Sequence, residues 1–320
     1  MKMKKTIAAV IALVLVFGLA LSACGGSSKT LTMATGGTQG TYYGFSGVIA
    51  NVLNNKLAGK LTINVESTGA SQANIQLVET GANNLAIVQN DVMSYAYNGT
   101  AMFDGKPVTN FSAVISCYPE IVQIVASSDI TQISDLVGKT VSVGASDSGT
   151  RYNAEQILNA YGITFDDINV VYESFGDSAD SLKNGTIDAC FQVAGIPTNA
   201  ITELATAYNF NLLAVDDQHV AALQKDYGFY TKITIPGGTY SCVSDDVQAV
   251  AVMATIIASN DLDEETVYNF LKGLFDNKDE IAKNHVKGNE IDLDTAISGI
   301  AIPFHKGAVK YYSEMGKSVG

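Results

Sequence analysis

The stretch "MATGGTQGTYYGFSG", residues 33–47, joins a β-rich run to a helix. The run "LTMAT" is typical of a strand, and apolar residues recur at helical spacing from Phe45 to Leu57. Glycines and hydroxyl residues occupy the junction. A helix N-terminus presents unpaired N–H groups and the positive end of the helix dipole. This pattern therefore favours one wall of a ligand cleft.

The alternation of strands and helices continues along the chain. "LTINVES" is predicted to be a strand, "ASQANIQLVET" a helix and "NLAIVQ" a strand. The same order restarts with "TVSVGAS", a helix from Arg151 to Tyr161, "INVVYE", "SADSLKNG" and "IDACFQV". Such an order favours a mostly parallel sheet with right-handed crossovers. Two units in series predict an α/β protein with two lobes.

Two long β-rich stretches are interpreted as crossings between the lobes. "FSAVISCYPEIVQIVAS" is too long for one ordinary strand and is interrupted by Pro119, which should bend it. "YTKITIPGGTYSCVSDDVQAVAVMATIIAS" follows the second unit. The predicted first lobe therefore comprises residues 31–117 and 236–320, and the second lobe residues 118–235.

The N-terminus has the features of an export signal. Lysines precede an apolar run that ends near Leu21, and Leu21-Ser22-Ala23-Cys24 resembles a bacterial lipobox. We expect a signal peptide over residues 1–23, lipidation of Cys24 and a short linker over residues 24–30. The apolar run is shorter than a bilayer-spanning helix needs. An uncleaved anchor is the alternative, and either reading predicts an extracytoplasmic protein held at a bacterial membrane.

Composition excludes several function classes. The chain carries 32 acidic and 19 basic residues, a formal net charge of −13. Removal of three signal-peptide lysines would make the charge −16, which argues against binding nucleic acid or anionic lipid. The three histidines show no metal-ligand spacing, and no nucleophile–base motif is present. We expect no enzyme activity, no metal and no cofactor.

The stretch "TVSVGASDSGTRYNAEQIL" repeats the strand–loop–helix pattern of the opening one. It is not a nucleotide-binding loop, because Thr150 stands where the required lysine would be. Arg151, the only arginine, follows directly. A guanidinium can hold a carboxylate with two hydrogen bonds. The alternative is an exposed Arg151 paired with Glu155, one turn further along the helix.

Three cysteines remain after Cys24, and an odd number cannot all pair. Buried free thiols are the favoured interpretation of Cys117, Cys190 and Cys242. A Cys117–Cys242 disulfide is the alternative, because both residues lie near the predicted crossings.

Six motifs in order resemble the TAXI family of solute-binding proteins from TRAP transporters: "ATGGTQGTYYGFSG", "STGASQANIQLVETGANNLAIVQND", "VGASDSGTRYNAEQIL", "NGTIDACFQVAGIP", "IPGGTY" and "IPFHKGAVKYYSEMG". The chain departs from the family pattern at Gln39, Gly44, Phe304 and Lys306. The resemblance implies a two-lobed type II periplasmic-binding-protein fold with a ligand cleft between the lobes. It also implies membrane subunits of an ion-gradient-driven transporter as partners.

The resemblance further implies capture of a small carboxylate, such as glutamate or a 2-oxoglutarate-like dicarboxylate. Thr68 and Ser71 could instead cap a helix, and Asp91 could bind a ligand ammonium or favour a first helical turn. The implied ligand-binding residues are Gly37, Thr38, Tyr42, Thr68, Ser71, Asn74, Gln89, Asp91, Ser148, Thr150, Arg151, Gly195, Pro197 and Tyr240.

Three other functions remain open on sequence alone. The first is the binding protein of an ABC importer for a sulfonate, phosphonate or pyrimidine-like solute. The second is an exported hydrolase, and the third is a surface lipoprotein that serves a sensor kinase.

Overall fold

The computed structural model describes residues 29–319. The predicted signal peptide, the lipidation site at Cys24 and the first part of the linker lie outside the described residues. The first lobe begins with alternating strands and helices: β1 Lys29–Ala34, α1 Thr41–Lys56, β2 Leu61–Glu66, α2 Ser71–Glu79, β3 Leu85–Gln89 and α3 Asn90–Asn98.

A long strand, β4 Phe111–Ala126, leads into the second lobe. That lobe repeats the alternation with shorter strands: β5 Thr140–Ser142, α4 Gly149–Ala160, β6 Asn169–Val171, α5 Phe175–Lys183, β7 Ala189–Ala194, α6 Asn199–Leu204, β8 Asn211–Leu212, α7 Asp217–Asp226 and β9 Thr231–Ile235. The chain returns through β10 Val247–Ser259 and ends in α8 Glu264–Asp276, α9 Lys278–Asn284 and α10 Lys306–Glu314.

Two antiparallel strands connect the lobes. The sheet order is β2-β1-β3-β10-β4-β7-β5-β6, with β8 beside β4 and β9 beside β10. Strands β1, β2 and β3 pair in parallel in one lobe, as do β5, β6 and β7 in the other. Because β4 and β10 belong to both halves, the sheet curls into the two-lobed α/β fold that the sequence predicts.

Strand β4 runs unbroken through Pro119, whereas the sequence predicts an interruption. Pro119 faces Met253 in the β4–β10 ladder, and the register shifts nearby because Cys117 has no partner on β10. The Met253 N–H donates instead to the Asn90 side chain at 2.9 Å. An extra residue of this kind bends a strand without ending it, so β4 can serve both lobes.

The return crossing is β10, within residues 236–320, the segment that the sequence analysis assigns to the first lobe together with this crossing. Strand β9 pairs with residues 247–251 of β10, and residues 254–258 of β10 pair with β3. Tyr240 packs in the same cluster as Val125 and Phe210 of the second lobe. We therefore place residues 236–251 with the second lobe.

Each lobe has its own core. Phe45, Ile49 and Phe270 belong to the largest cluster of the first lobe, and Ile157 and Phe191 to that of the second. A bend between such cores changes few buried apolar contacts, which permits movement of one lobe against the other.

The three described cysteines are free. Cys117 is buried in the first-lobe core, whereas Cys190 and Cys242 pack around Tyr240 in the second lobe. The structure therefore contradicts the alternative of a Cys117–Cys242 disulfide. Burial raises the pKa of the Cys190 thiol to about 12, which leaves that thiol unreactive.

None of the helices within residues 29–319 is long and apolar enough to span a bilayer.

Candidate functional site

A cavity of about 70 Å³ lies where the two lobes meet. The first lobe contributes the loop before α1 and the start of α2, and the second lobe contributes the start of α4 and the loop before α5. Both walls therefore use the strand–loop–helix junctions that stand out in the sequence.

Half of the predicted ligand-binding residues line this cavity. From the first lobe these are Gly37, Tyr42, Thr68, Ser71 and Gln89, and from the second lobe Ser148 and Thr150. Their placement follows from local structure, because loops at the ends of parallel strands meet at one edge of a sheet.

Thr68 and Ser71 do not cap α2. The Thr68 hydroxyl donates to the carbonyl of Thr35 at 3.0 Å, and the Ser71 hydroxyl accepts from the Gln89 N–H at 3.1 Å. The first N–H groups of α2 donate instead to the Asp147 carbonyl of the opposite lobe, at 3.1 and 3.2 Å. The second lobe thus caps a helix of the first.

Ser148 does cap its own helix. Its hydroxyl accepts a hydrogen bond of 3.1 Å from the Arg151 N–H at the start of α4.

Arg151 lies outside the cavity, contrary to its predicted role in holding a carboxylate. Its Nη1 atom is 3.2 Å from Glu155 Oε2, and the guanidinium lies against the Tyr152 and Phe165 rings. Thr150, one residue earlier, does face the cavity. Successive helix residues point about 100° apart, so the two side chains diverge. The structure thus shows the surface pairing with Glu155 that the sequence analysis gives as the alternative, and ligand binding by Arg151 stays a prediction.

Asp91 and Asn74 are buried but do not line the cavity. The Asp91 carboxylate accepts from the Val92 N–H at 2.8 Å and from Asn153 Nδ2 at 3.0 Å. Burial raises the pKa of Asp91 to about 6. Asn74 Nδ2 donates to the Thr35 and Ile87 carbonyls, so it braces the loop behind the cavity wall.

The remaining predicted residues serve the surroundings of the cavity. Thr38 is exposed at the loop tip. The Gly195 carbonyl accepts from the hydroxyls of Thr41 and Thr198, each at 3.0 Å. Pro197 follows a cis peptide bond. The Tyr240 hydroxyl accepts from the Thr198 N–H at 3.0 Å and is buried away from the cavity.

Glu120 is the cavity residue that the sequence analysis missed. It lies on β4 beside Pro119 and is only 2 % exposed. Desolvation raises the pKa of the Glu120 carboxyl to about 8, although Tyr42, Lys287 and Gln89 lower it in part. An isolated acid within an otherwise apolar β run is the sequence signal that could have revealed it.

The second lobe adds Glu173 and Ser174 from the loop before α5 and Phe175 at the start of that helix, none of which the sequence predicts. Glu173 Oε1 accepts from the Ser181 hydroxyl at 2.9 Å. Its other oxygen is buried and without a hydrogen-bond partner within residues 29–319. Gln89 Oε1 is likewise buried without a hydrogen-bond partner within residues 29–319. A cavity lined by such atoms is suited to a polar ligand.

Carboxyl groups are part of the cavity wall. Of the described residues that line it, two are acidic, Glu120 and Glu173, and none is a lysine, arginine or histidine. Lys287 is buried behind the wall, where Nζ is 2.6 Å from Glu290 Oε1 and 5.5 Å from the centre of the Tyr118 ring. The expectation of an arginine-held dicarboxylate does not fit this wall.

The lobes are closed on each other. Apart from the Asp147 contacts and the Asn153–Asp91 bond, the Ala200 N–H donates to the Gln39 carbonyl at 3.4 Å. Gly149 lies so close to Gln89 that a Cβ on it would meet Gln89 Oε1 at 1.7 Å. Closure therefore depends on a residue without a side chain at position 149.

No group of three or more His, Cys, Asp or Glu side chains in the described part of the chain could hold a metal ion.

A family model described as the NMT1-like family matches residues 33–316. The match covers most of the chain, which therefore belongs to the NMT1-like family.

Three similar solved structures share the fold. The alkanesulfonate-binding protein SsuA from Xanthomonas axonopodis pv. citri, bound to MOPS, is 14% identical over 90% of this chain and 84% of that chain, with a TM-score of 0.50. A Streptococcus mutans structure concerns glutathione import via GshT and the cystine ABC importer TcyBC; it is 12% identical over 83% and 98%, with a TM-score of 0.51. The zinc-bound ligand-binding component of an ABC-type import system from Staphylococcus aureus is 9% identical over 83% and 80%, with a TM-score of 0.51.

These comparisons correct the resemblance drawn from the six motifs. The matching family is the NMT1-like family rather than the TAXI family, and the similar structures include binding proteins of ABC importers rather than TRAP receptors. The TRAP membrane subunits and the carboxylate substrate were expected only from the TAXI resemblance, so these expectations are wrong as well.

Proposed function

We propose that this member of the NMT1-like family is the solute-binding component of an ABC-type importer and works outside the cytoplasm. The observation that carries the proposal is a cavity between the lobes that residues of both lobes line. A protein of this form captures its ligand on one lobe, and closure then adds contacts from the other lobe and excludes water.

The partners in this proposal are a permease and an ATPase in the membrane. The closed form, stabilised by ligand, would be the form that the permease recognises. The lipobox-like sequence at Cys24 supports attachment of the protein to the membrane surface.

Ligand binding is tested by thermal unfolding of residues 25–320 after bound solute has been removed. The panel contains sulfonates, phosphonates, pyrimidines, amino acids and amines. A ligand that binds only the folded form raises the unfolding midpoint according to its affinity and concentration. The proposal expects a rise with at least one class, and an unchanged midpoint with all of them contradicts it.

The energy source is tested by uptake of that solute into cells with and without the gene. Loss of ATP-driven, vanadate-sensitive uptake in the deleted strain supports the ABC assignment. Uptake that depends on the gene but is driven by an ion gradient contradicts that assignment without affecting the binding function.

A further inference from the structure

We infer that the ligand is a small organic cation, with a protonated nitrogen bound by the Glu120 carboxylate. This inference rests on the proposed function, since it assigns the chemistry of the same cavity. It makes Glu120 the residue that determines specificity.

The first support is the position of Glu120. The side chain is 98 % buried, lines the cavity and comes from β4, the strand that both lobes share. Its carboxyl group makes no ion pair within the described structure, where the salt bridges involve other acids. A buried carboxylate without a cation is costly, and a ligand cation would offset that cost.

The second support is the set of unpaired acceptors around the same cavity. Gln89 Oε1 and Glu173 Oε2 are buried, line the cavity and have no partner among residues 29–319. The Tyr42 hydroxyl lies beside Glu120 and lowers the pKa of that carboxyl. A protonated amine offers up to three N–H donors, which matches a wall rich in acceptors. A carboxylate or sulfonate, which only accepts hydrogen bonds, would leave these acceptors unpaired.

The third support is the charge balance around Glu120. The neighbouring groups that shift the pKa of Glu120 are the Tyr42 hydroxyl, Asp91, Lys287 and the Gln89 amide. Lys287 is the cation among them, and Glu290 already pairs with it at 2.6 Å. An ionised Glu120 therefore needs a further positive charge, and the cavity is the place from which a ligand can supply it.

Apolar surface completes the site. Phe175, Val193, Ala70 and Ala194 line the cavity beside the polar groups. They would contact the carbon skeleton of the cation, so the expected ligands are amines with an apolar body.

One alternative reading of Glu120 is testable. A protonated Glu120 could donate a hydrogen bond to an anionic ligand. Glutamine has the shape of a protonated glutamate and also donates a hydrogen bond. Glu120→Gln would therefore keep an anion-binding site working but would destroy a cation-binding one.

The experiment uses residues 25–320, which contain all of the described structure, as wild type, Glu120→Gln and the exposed control Glu265→Gln. Each protein, freed of bound solute, is mixed with a defined equimolar set of amines, amino acids, sulfonates, phosphonates, carboxylates and pyrimidines. Gel filtration separates the protein, and mass spectrometry identifies the retained compounds. Circular dichroism and urea unfolding establish that each variant is folded.

We expect wild type and Glu265→Gln to retain one or more compounds with a protonated nitrogen, and Glu120→Gln to lose at least ninety-nine per cent of that affinity, about 3 kcal/mol by the standard conversion. Retention of a compound without a basic nitrogen, or undiminished retention by Glu120→Gln, overturns the inference while leaving the solute-binding function standing. If wild type and Glu265→Gln retain no compound of any class, the proposed function fails, and this inference fails with it.

Discussion

Asn153 in the second lobe donates a hydrogen bond of 3.0 Å to Asp91 in the first lobe. The same Asn153 amide donates to the Tyr230 hydroxyl at 2.9 Å, and that hydroxyl donates to Gln156 Oε1 at 2.7 Å. These groups are buried when the lobes are together. The hydrogen bond therefore belongs to the closed form, and an open form would expose Asp91 to water.

Asn153→Ala should weaken ligand binding more than it weakens the fold. The closed form loses the bond to a buried carboxylate, which costs about 1–3 kcal/mol, whereas the open form can hydrate Asp91. We expect affinity to fall by about 10- to 100-fold in calorimetric titration. Asn159→Ala, an exposed change on the same helix, is the control. Equal affinities in the two variants would contradict a role for Asn153 in closure.

Gly149→Ala should hold the lobes apart. The added Cβ would meet the Gln89 side chain at 1.7 Å and Val92 at 3.0 Å, so one lobe must withdraw or Gln89 must move. In X-ray scattering at saturating ligand, we expect a larger radius of gyration than for wild type. Gly47→Ala, where no atom lies within 4 Å of the new Cβ, is the matched control. Full ligand-induced compaction of Gly149→Ala would show that this contact does not limit closure.

The stability of the unliganded protein should depend on pH through Glu120. Burial raises the pKa of the Glu120 carboxyl to about 8, from an ordinary 4.5. Between these values the folded protein holds a proton that the unfolded chain has lost, so stability falls as pH rises, by up to about 1.4 kcal/mol per pH unit.

Glu120→Gln removes that proton. Its free energy of unfolding in urea, relative to wild type, should therefore rise between pH 5 and pH 8. A difference that does not change with pH would mean that Glu120 titrates normally.

Arg151→Ala should leave ligand binding within about twofold of wild type. The guanidinium lies outside the cavity and pairs with Glu155 at the surface. Partly exposed pairs of this kind contribute about 0–1 kcal/mol to stability. Calorimetric titration and urea unfolding measure the two effects. A tenfold loss of affinity at unchanged stability would place Arg151 back in the site.

Local sequence patterns account for much of the fold and for part of the cavity. The glycine- and hydroxyl-rich loop before α4 is recognisable within a few residues, and the resemblance to a family implies Ser148 and Thr150 in it as ligand-binding residues. Local patterns do not predict that β4 continues through Pro119. That continuation depends on a shifted register with β10, which is distant in sequence.

The errors in the site have similar physical causes. Arg151 was assigned to the cavity from its neighbours, although helical rotation turns its side chain toward Glu155. Glu120 was missed because its importance arises from burial between the lobes and from the unpaired groups of other elements. Local spacing predicts which loops meet, whereas the chemistry of the cavity depends on which distant side chains share it.

A crystal structure of residues 25–320 with a retained compound tests the central claim most directly. We expect closed lobes and ligand density between Tyr42, Glu120 and Thr150, with a nitrogen atom within hydrogen-bond distance of the Glu120 carboxylate. Ligand density elsewhere on the protein would contradict the assignment of this cavity as the binding site.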